Sequence, residues 1–353
     1  MRIAHPDPAG GPCRPQLAIP QARPRRGRAA YLLLATWVFW GSLAVSPIPE
    51  SGVVRAAAAP AGGEVLLIPY TAVSAIMSPL WVAVEENLFA PYGITVQTVN
   101  VSNGAVATAG MLGGSYLMIM NDGPSTISAA AGGADVVMVA TLADRVNQAI
   151  MTRPGITSAQ QLRGRTVGVT TLGTLSGFAM QLFLQHEGIP LTDVNVVQLQ
   201  TLPAMGAALT SGKIDAAPFS HPLLISMRRA GMHELTDMWT LDIPFLATGL
   251  ETTRTYLNAH RQTVRAVVEG LTAGVEYIRV HPGRAVSVIQ KYTKITDRAA
   301  LEETWSVYAH QLFLSKLTPS VAGAETVIRL LGASNPKVKG MTPGQVLDAS
   351  LIP

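Results

Sequence analysis

The chain has 353 residues, 48% of them hydrophobic and 14% charged, which excludes a disordered chain and leaves room for two ordinary globular domains. The formal charge of +4 resides in the first 59 residues: these hold 7 of the 26 Lys/Arg and 2 of the 22 Asp/Glu, leaving 19 basic and 20 acidic residues beyond Ala59. A near-neutral remainder without a block of like charge excludes a phosphate-binding stripe, and nucleic acid is not an expected partner.

Residues 1–59 read as a signal peptide. The basic run Arg23-Pro-Arg25-Arg26-Gly-Arg28 precedes the apolar stretch Ala29 to Val45, and Ala57-Ala58-Ala59 offers the small-residue geometry of a cleavage site. Cleavage is expected near Ala59, with a periplasmic mature protein. The competing reading is an uncleaved membrane anchor, for which the 17 residues, interrupted by Thr36, Gly41 and Ser42, are short. The one cysteine, Cys13, precedes the apolar stretch, so disulfides, thiolate metal sites and cysteine nucleophiles are not expected beyond Ala59.

From Glu64 short β-like runs alternate with helical patterns. Val65 to Ile68 reads as a strand, and Ser78-Pro79 as the N-cap and first residue of a helix. Strand Thr95 to Val101 leads through the turn Ser102-Asn103-Gly104 to a helix ending near Leu112. Strand Tyr116 to Met120 leads through Asn121-Asp122-Gly123-Pro124 to another helix, and Asp135 to Thr141 is a buried strand. The pattern restarts after Thr157, with strands Thr166 to Thr170, Val194 to Leu199 and Ile214 to Phe219. Helices follow each, one stopped at Gly188 and one at Gly231. From His260 the chain turns helical, with Val264, Val267, Val268, Leu271, Val275 and Ile278 on one stripe.

Such βα units predict an α/β, two-lobed fold with mixed, mostly parallel sheets. Lobe one is expected over 64–151 and 247–353 and lobe two over 152–246, with crossings in Ala149 to Arg153 and Phe245 to Leu250.

Four segments carry a family resemblance: Pro79-Leu-Trp-Val-Ala-Val-Glu-Glu-Asn-Leu-Phe with Tyr92-Gly-Ile; Leu162-Arg-Gly-Arg-Thr-Val-Gly-Val; Gly188-Ile with Asp193-Val; and Leu209-Thr-Ser-Gly-Lys-Ile-Asp215-Ala-Ala. In order and spacing the chain resembles the periplasmic binding proteins for nitrate, taurine, alkanesulfonates and thiamine-pyrimidine precursors, which serve ATP-driven importers. The resemblance implies a type II-like periplasmic-binding-protein fold, a ligand cleft between the lobes, a monomer, and a membrane permease of an ABC importer as partner. One departure is Gly114-Ser-Tyr-Leu-Met-Ile-Met, where family members often carry Gly-x-x-Asp.

Ligands of open α/β sheets sit beyond the carboxyl ends of strands, where helix N-termini offer free N–H groups. That rule selects Thr71, Ser74 and Ser78 after the first strand, Asn103 after the second, Asn121 and Asp122 after the third, Gly173, Thr174 and Ser176 in the second lobe, and His221 after its last parallel strand. These loops hold one carboxylate and no Lys or Arg, so a small anionic or neutral polar molecule is the expected ligand. No catalytic residue, metal ligand or cofactor is assigned, because the chain has no His/Cys cluster, nucleophile elbow or phosphate-binding loop. A sensor module of the same fold, or a pyrimidine-pathway enzyme, are the alternatives.

Overall fold

The computed structural model describes residues 64–101 and 103–352; the expected signal peptide lies outside the described residues. Strand β1 (Glu64–Leu67) is followed by α1 (Ser78–Glu85) and pairs in parallel with β2 (Ile94–Gln97). In β2, buried Ile94 and Val96 alternate with exposed Thr95 and Gln97, the period of a strand covered on one face. Helix α2 (Gly104–Leu112), β3 (Met118–Asp122), α3 (Gly123–Ala131) and β4 (Val137–Arg145) continue the alternation. The first seven residues of β4 are all buried, as a continuous apolar run requires of a strand covered on both faces.

The second sheet begins with β5 (Ala149–Thr152). It continues through β6 (Thr166–Val169), α4 (Leu175–His186), β7 (Asn195–Gln198), α5 (Leu202–Thr210), β8 (Ala216–Phe219), α6 (Leu223–Arg229) and β9 (His233–Asp237). Its order is β7-β6-β8-β5-β9, with β6 parallel to β7 and β8 and β5 antiparallel to β8 and β9. Strand β10 (Pro244–Thr252) then returns to the first lobe and inserts between β3 and β4, antiparallel to both. Five helices complete that lobe: α7 (Arg254–Ala259), α8 (Arg261–Val280), α9 (Pro282–Thr293), α10 (Arg298–Val307) and α11 (Val321–Gly332).

The α/β, two-lobed fold with mixed sheets is the one the sequence predicts, but the sheets are not mostly parallel, because β5 and β10 run antiparallel to both of their neighbours. The expected crossings, however, are themselves strands β5 and β10. The chain passes between sheets just before each, at residues 146–148 and 238–243. The apolar runs Ala149-Ile-Met and Phe245-Leu-Ala are buried within β5 and β10, and polar Asn147 and Gln148 occupy the first crossing instead.

All six residues of the predicted apolar stripe lie on the buried face of α8. The helix packs on α1 so closely that a Cβ at Gly274 would stand 2.3 Å from the carbonyl oxygen of Pro79. Trp81, fully buried on α1, stacks on Tyr292 of α9 at 4.7 Å and 6° and meets the edge of Tyr70 at 5.3 Å. These aromatics therefore close the core. Replacing Trp81→Ala is expected to cost about 3–5 kcal/mol by emptying that site, measured as a lower midpoint of denaturant unfolding.

Candidate functional site

A cleft of about 470 Å³ lies at the strand ends of the two lobes. Its first-lobe wall comes from Thr71 to Ser74 after β1, Asn100 and Asn103 after β2, Asp122 at the end of β3 and Thr248 of β10. The second-lobe wall comes from Thr170, Thr174 and Ser176 after β6, Gln200 to Pro203 after β7, and Ser220 after β8. Asn147 and Gln148 enter from the first crossing. Beside the cleft the lobes touch: Ser74 Oγ donates to Ser220 Oγ at 2.9 Å, and the Ala75 N–H donates to the His221 carbonyl at 3.2 Å.

Thr71, Ser74, Asn103, Asp122, Thr174 and Ser176 thus line the cleft as the strand-end rule places them. Asn103 caps α2 by accepting from the Val106 N–H at 3.0 Å, and Asp122 caps α3 by accepting from the Ser125 N–H at 2.9 Å. Gly104 lets α2 start against α3, since a Cβ there would lie 2.4 Å from Asn121 Oδ1. Helix α4 has no side-chain cap: the Thr174 hydroxyl turns back to the Thr171 carbonyl at 2.8 Å, and Ser176 Oγ accepts from the Thr170 N–H at 2.8 Å. The first-turn N–H groups of α4 therefore remain available to a ligand.

Four expected residues do not line the cleft. Ser78 is the first residue of α1 rather than its N-cap, because a 3-10 turn over Ala75–Met77 runs directly into the helix; its buried hydroxyl has no partner among the described residues. Asn121 precedes Asp122 in β3, and successive side chains of a strand point to opposite faces. Asp122 therefore reaches the cleft while Asn121 is buried, donating to Thr108 Oγ1 at 3.0 Å and Glu251 Oε2 at 2.7 Å. Gly173 supplies a left-handed turn, φ +82°, ahead of α4. The His221 ring packs edge-on against Tyr308 at 5.9 Å. Burial, then the charge of Arg228, lowers its pKa to about 4, leaving it neutral, and only its carbonyl joins the contact between lobes.

The cleft residues missed in the sequence are Asn100, Asn147, Gln148, Thr170, Gln200, Thr201 and Thr248. Gln200 and Thr201 follow a parallel strand, so the strand-end rule applied to β7 would have found them. Gln200 also holds a left-handed φ of +67°, uncommon for a residue with a side chain. Asn147 and Gln148 carry no local signal, since they belong to a crossing and not to a strand end.

Residues 75–285 match the model of a family described as NMT1/THI5 like. The chain belongs to the NMT1/THI5-like family. It is 26% identical over 145 residues to a Brachyspira hyodysenteriae protein described as an ABC transporter periplasmic binding protein, and spans 41% of that relative's length. Its fold is similar to that of the alkanesulfonate-binding protein SsuA from Xanthomonas axonopodis pv. citri bound to MOPS. The two share a TM-score of 0.71 at 16% identity, over 82% of this chain and 100% of the other. The periplasmic nitrate-binding protein NrtA from Synechocystis PCC 6803 aligns at TM-score 0.65 and 11% identity, over 82% and 87% of the two chains. At these identities the likeness shows a periplasmic-binding-protein fold.

In this NMT1/THI5-like chain the described cleft lining holds no Lys or Arg, and its one carboxylate is Asp122. Burial raises Asp122 to about 6 despite the bonds from Ser125. Behind it, fully buried Glu251 accepts from Thr108, Asn121 and Thr126. Among the described residues no group of three or more His, Cys, Asp or Glu could hold a metal ion.

Burial raises the Glu251 carboxyl from 4.5 to about 7 in the folded chain. A raised carboxyl contributes stability that is fully present below the unfolded pKa and is lost as pH rises through the folded one. Unfolding free energy is therefore expected to fall by about 3 kcal/mol between pH 4.5 and pH 7 from this group alone. The Glu251→Gln variant is expected to flatten that slope in denaturant titrations across the same range.

Proposed function

We propose that this protein is the solute-binding component of an ATP-driven importer, capturing a small anionic or neutral polar organic molecule between its lobes and delivering it to a membrane permease. The observation that carries the reading is the cleft: its walls come from both lobes, so closing one lobe on the other would bury a ligand's polar atoms against donors and acceptors on two sides. Family membership and the fold support it. Sulfonates, taurine, nitrate and pyrimidine-like molecules are the ligand classes to which the family resemblance points.

Binding rather than catalysis fits the lining, in which no described His, Cys or Lys stands beside a hydroxyl to activate it. Export through the signal expected over residues 1–59, with cleavage near Ala59, and work as a periplasmic monomer belong to the same proposal. No helix among the described residues is long and apolar enough to cross a membrane.

A thermal-shift screen of the purified protein against nitrate, taurine, alkanesulfonates, pyrimidines, aromatic carboxylates and amino acids tests it. A ligand present at 100 times its dissociation constant is expected to stabilise the fold by about 2.7 kcal/mol, a visible rise in Tm. No shift with any class would remove the solute-binding reading.

A further inference from the structure

Two carboxamide oxygens at the first crossing have no hydrogen-bond partner among the described residues. Asn147 and Gln148 are 4% and 5% exposed, and both line the cleft. Asn147 Nδ2 donates to Tyr308 Oη at 3.1 Å, but its Oδ1 has no hydrogen-bond partner among the described residues, and neither has Gln148 Oε1. A buried polar atom without a partner loses its hydration and gains nothing in return, so native structures rarely keep one without a use. A second cavity touches the same two residues, beside His221 and Trp239, but its volume of about 10 Å³ is at the limit for one water molecule. The large cleft is the space that can supply a partner to both side chains.

The two unpaired atoms are both carbonyl oxygens, so their complement is an N–H donor. Where the amide nitrogen beside such an oxygen also engages the ligand, the matching edge carries an N–H next to a carbonyl or ring nitrogen. An oxyanion presents acceptors alone. The rest of the cleft offers an oxyanion the uncapped first turn of α4, set against the Asp122 carboxylate and no described Lys or Arg; the N-termini of α2, α3 and α5 are already capped by Asn103, Asp122 and Thr201.

We propose that Asn147 and Gln148 are the specificity-determining residues of the cleft, and that they select a neutral molecule with an amide-like edge over an oxyanion. The inference rests on the solute-binding reading and narrows its ligand class.

Calorimetric titration with two matched series tests it: nicotinamide, nicotinate and pyridine-3-sulfonate, then benzamide, benzoate and benzenesulfonate. Within each series the ring is constant and only the edge changes. On at least one ring the amide is expected to bind about tenfold or more tightly than either oxyanion. Equal or tighter binding of an oxyanion on both rings overturns the proposal. So does failure of both amides to bind, and the broader ligand screen then decides separately whether the protein binds solutes at all.

Gln148→Leu, with Gln148→Met as a second variant of similar volume, separates recognition from structure. Either is expected to weaken amide binding about tenfold while leaving the Tm of the free protein the same or higher, because an unpaired buried amide is removed. Unchanged affinity, or a free protein of lower Tm in both variants, would assign Gln148 a structural role and overturn its part in selection.

Discussion

The buried carboxyl of Glu251 is the junction on which the cleft face of the first lobe depends. It sits on β10 and accepts hydrogen bonds from Thr108 on α2, Asn121 on β3 and Thr126 on α3. One side chain thereby ties two helices and two strands at the end of the sheet where the cleft loops emerge. A charge or carboxyl at such depth is tolerated only when its oxygens are satisfied, and three donors satisfy them. Because Asn121 is bound inward by this network, its neighbour Asp122 is held outward at the cleft. The position of α2 follows as well, since Gly104 brings the start of that helix against Asn121 and Ser125.

The second constraint is the passage of the chain between lobes. Strand β10 can insert between β3 and β4 only because Gly249 has no Cβ, which would fall 2.1 Å from the Ala140 carbonyl oxygen. In the other lobe, Asp215 of the Lys-Ile-Asp-Ala-Ala segment accepts from the Thr166 N–H at 2.9 Å and pairs with Arg153 just beyond β5. That ties β5, β6 and β8 at one end of the sheet, a structural reason for an acidic residue in the most telling of the family segments. Bonds from Ser74 to Ser220 and from Ala75 to His221 then join the lobes near the crossings. Motion of one lobe against the other would have to pivot beside these contacts, which places Asn147 and Gln148 where the lobes meet.

Much of the fold was legible before the structure. The apolar stripe of α8, the buried run of β4 and the alternation in β2 are local patterns, and each formed the element its period requires. The boundaries fared worse where a neighbouring turn intervened: Ser78 has the chemistry of an N-cap, but the 3-10 turn before it had already set helical backbone at Met77. Arg145 pairs not with the adjacent Asp144 but with Asp242, at 2.9 Å, and lies over the Trp239 ring. Within the candidate site, loop positions at strand ends were readable from the general rule, as with Thr71, Asn103, Asp122 and Ser176. The residues at the crossing were not.

The sequence by itself determined the order of strands and helices, the two-lobed α/β class, the family, and the near-neutral, hydroxyl- and amide-rich character of the loops. These depend on the period of apolar residues and on turn chemistry, which act over a few residues. Only the tertiary structure decided which polar side chains face the cleft. Asn121 turns inward because Glu251 awaits it 130 residues later, and the His221 ring leaves the cleft because Tyr308 provides its packing surface. Asn147 and Gln148 reach the cleft because the chain crosses between lobes at that point. Such partners are brought together by the closing of sheets across long loops, and no local pattern encodes the direction in which a single amide or imidazole will then point.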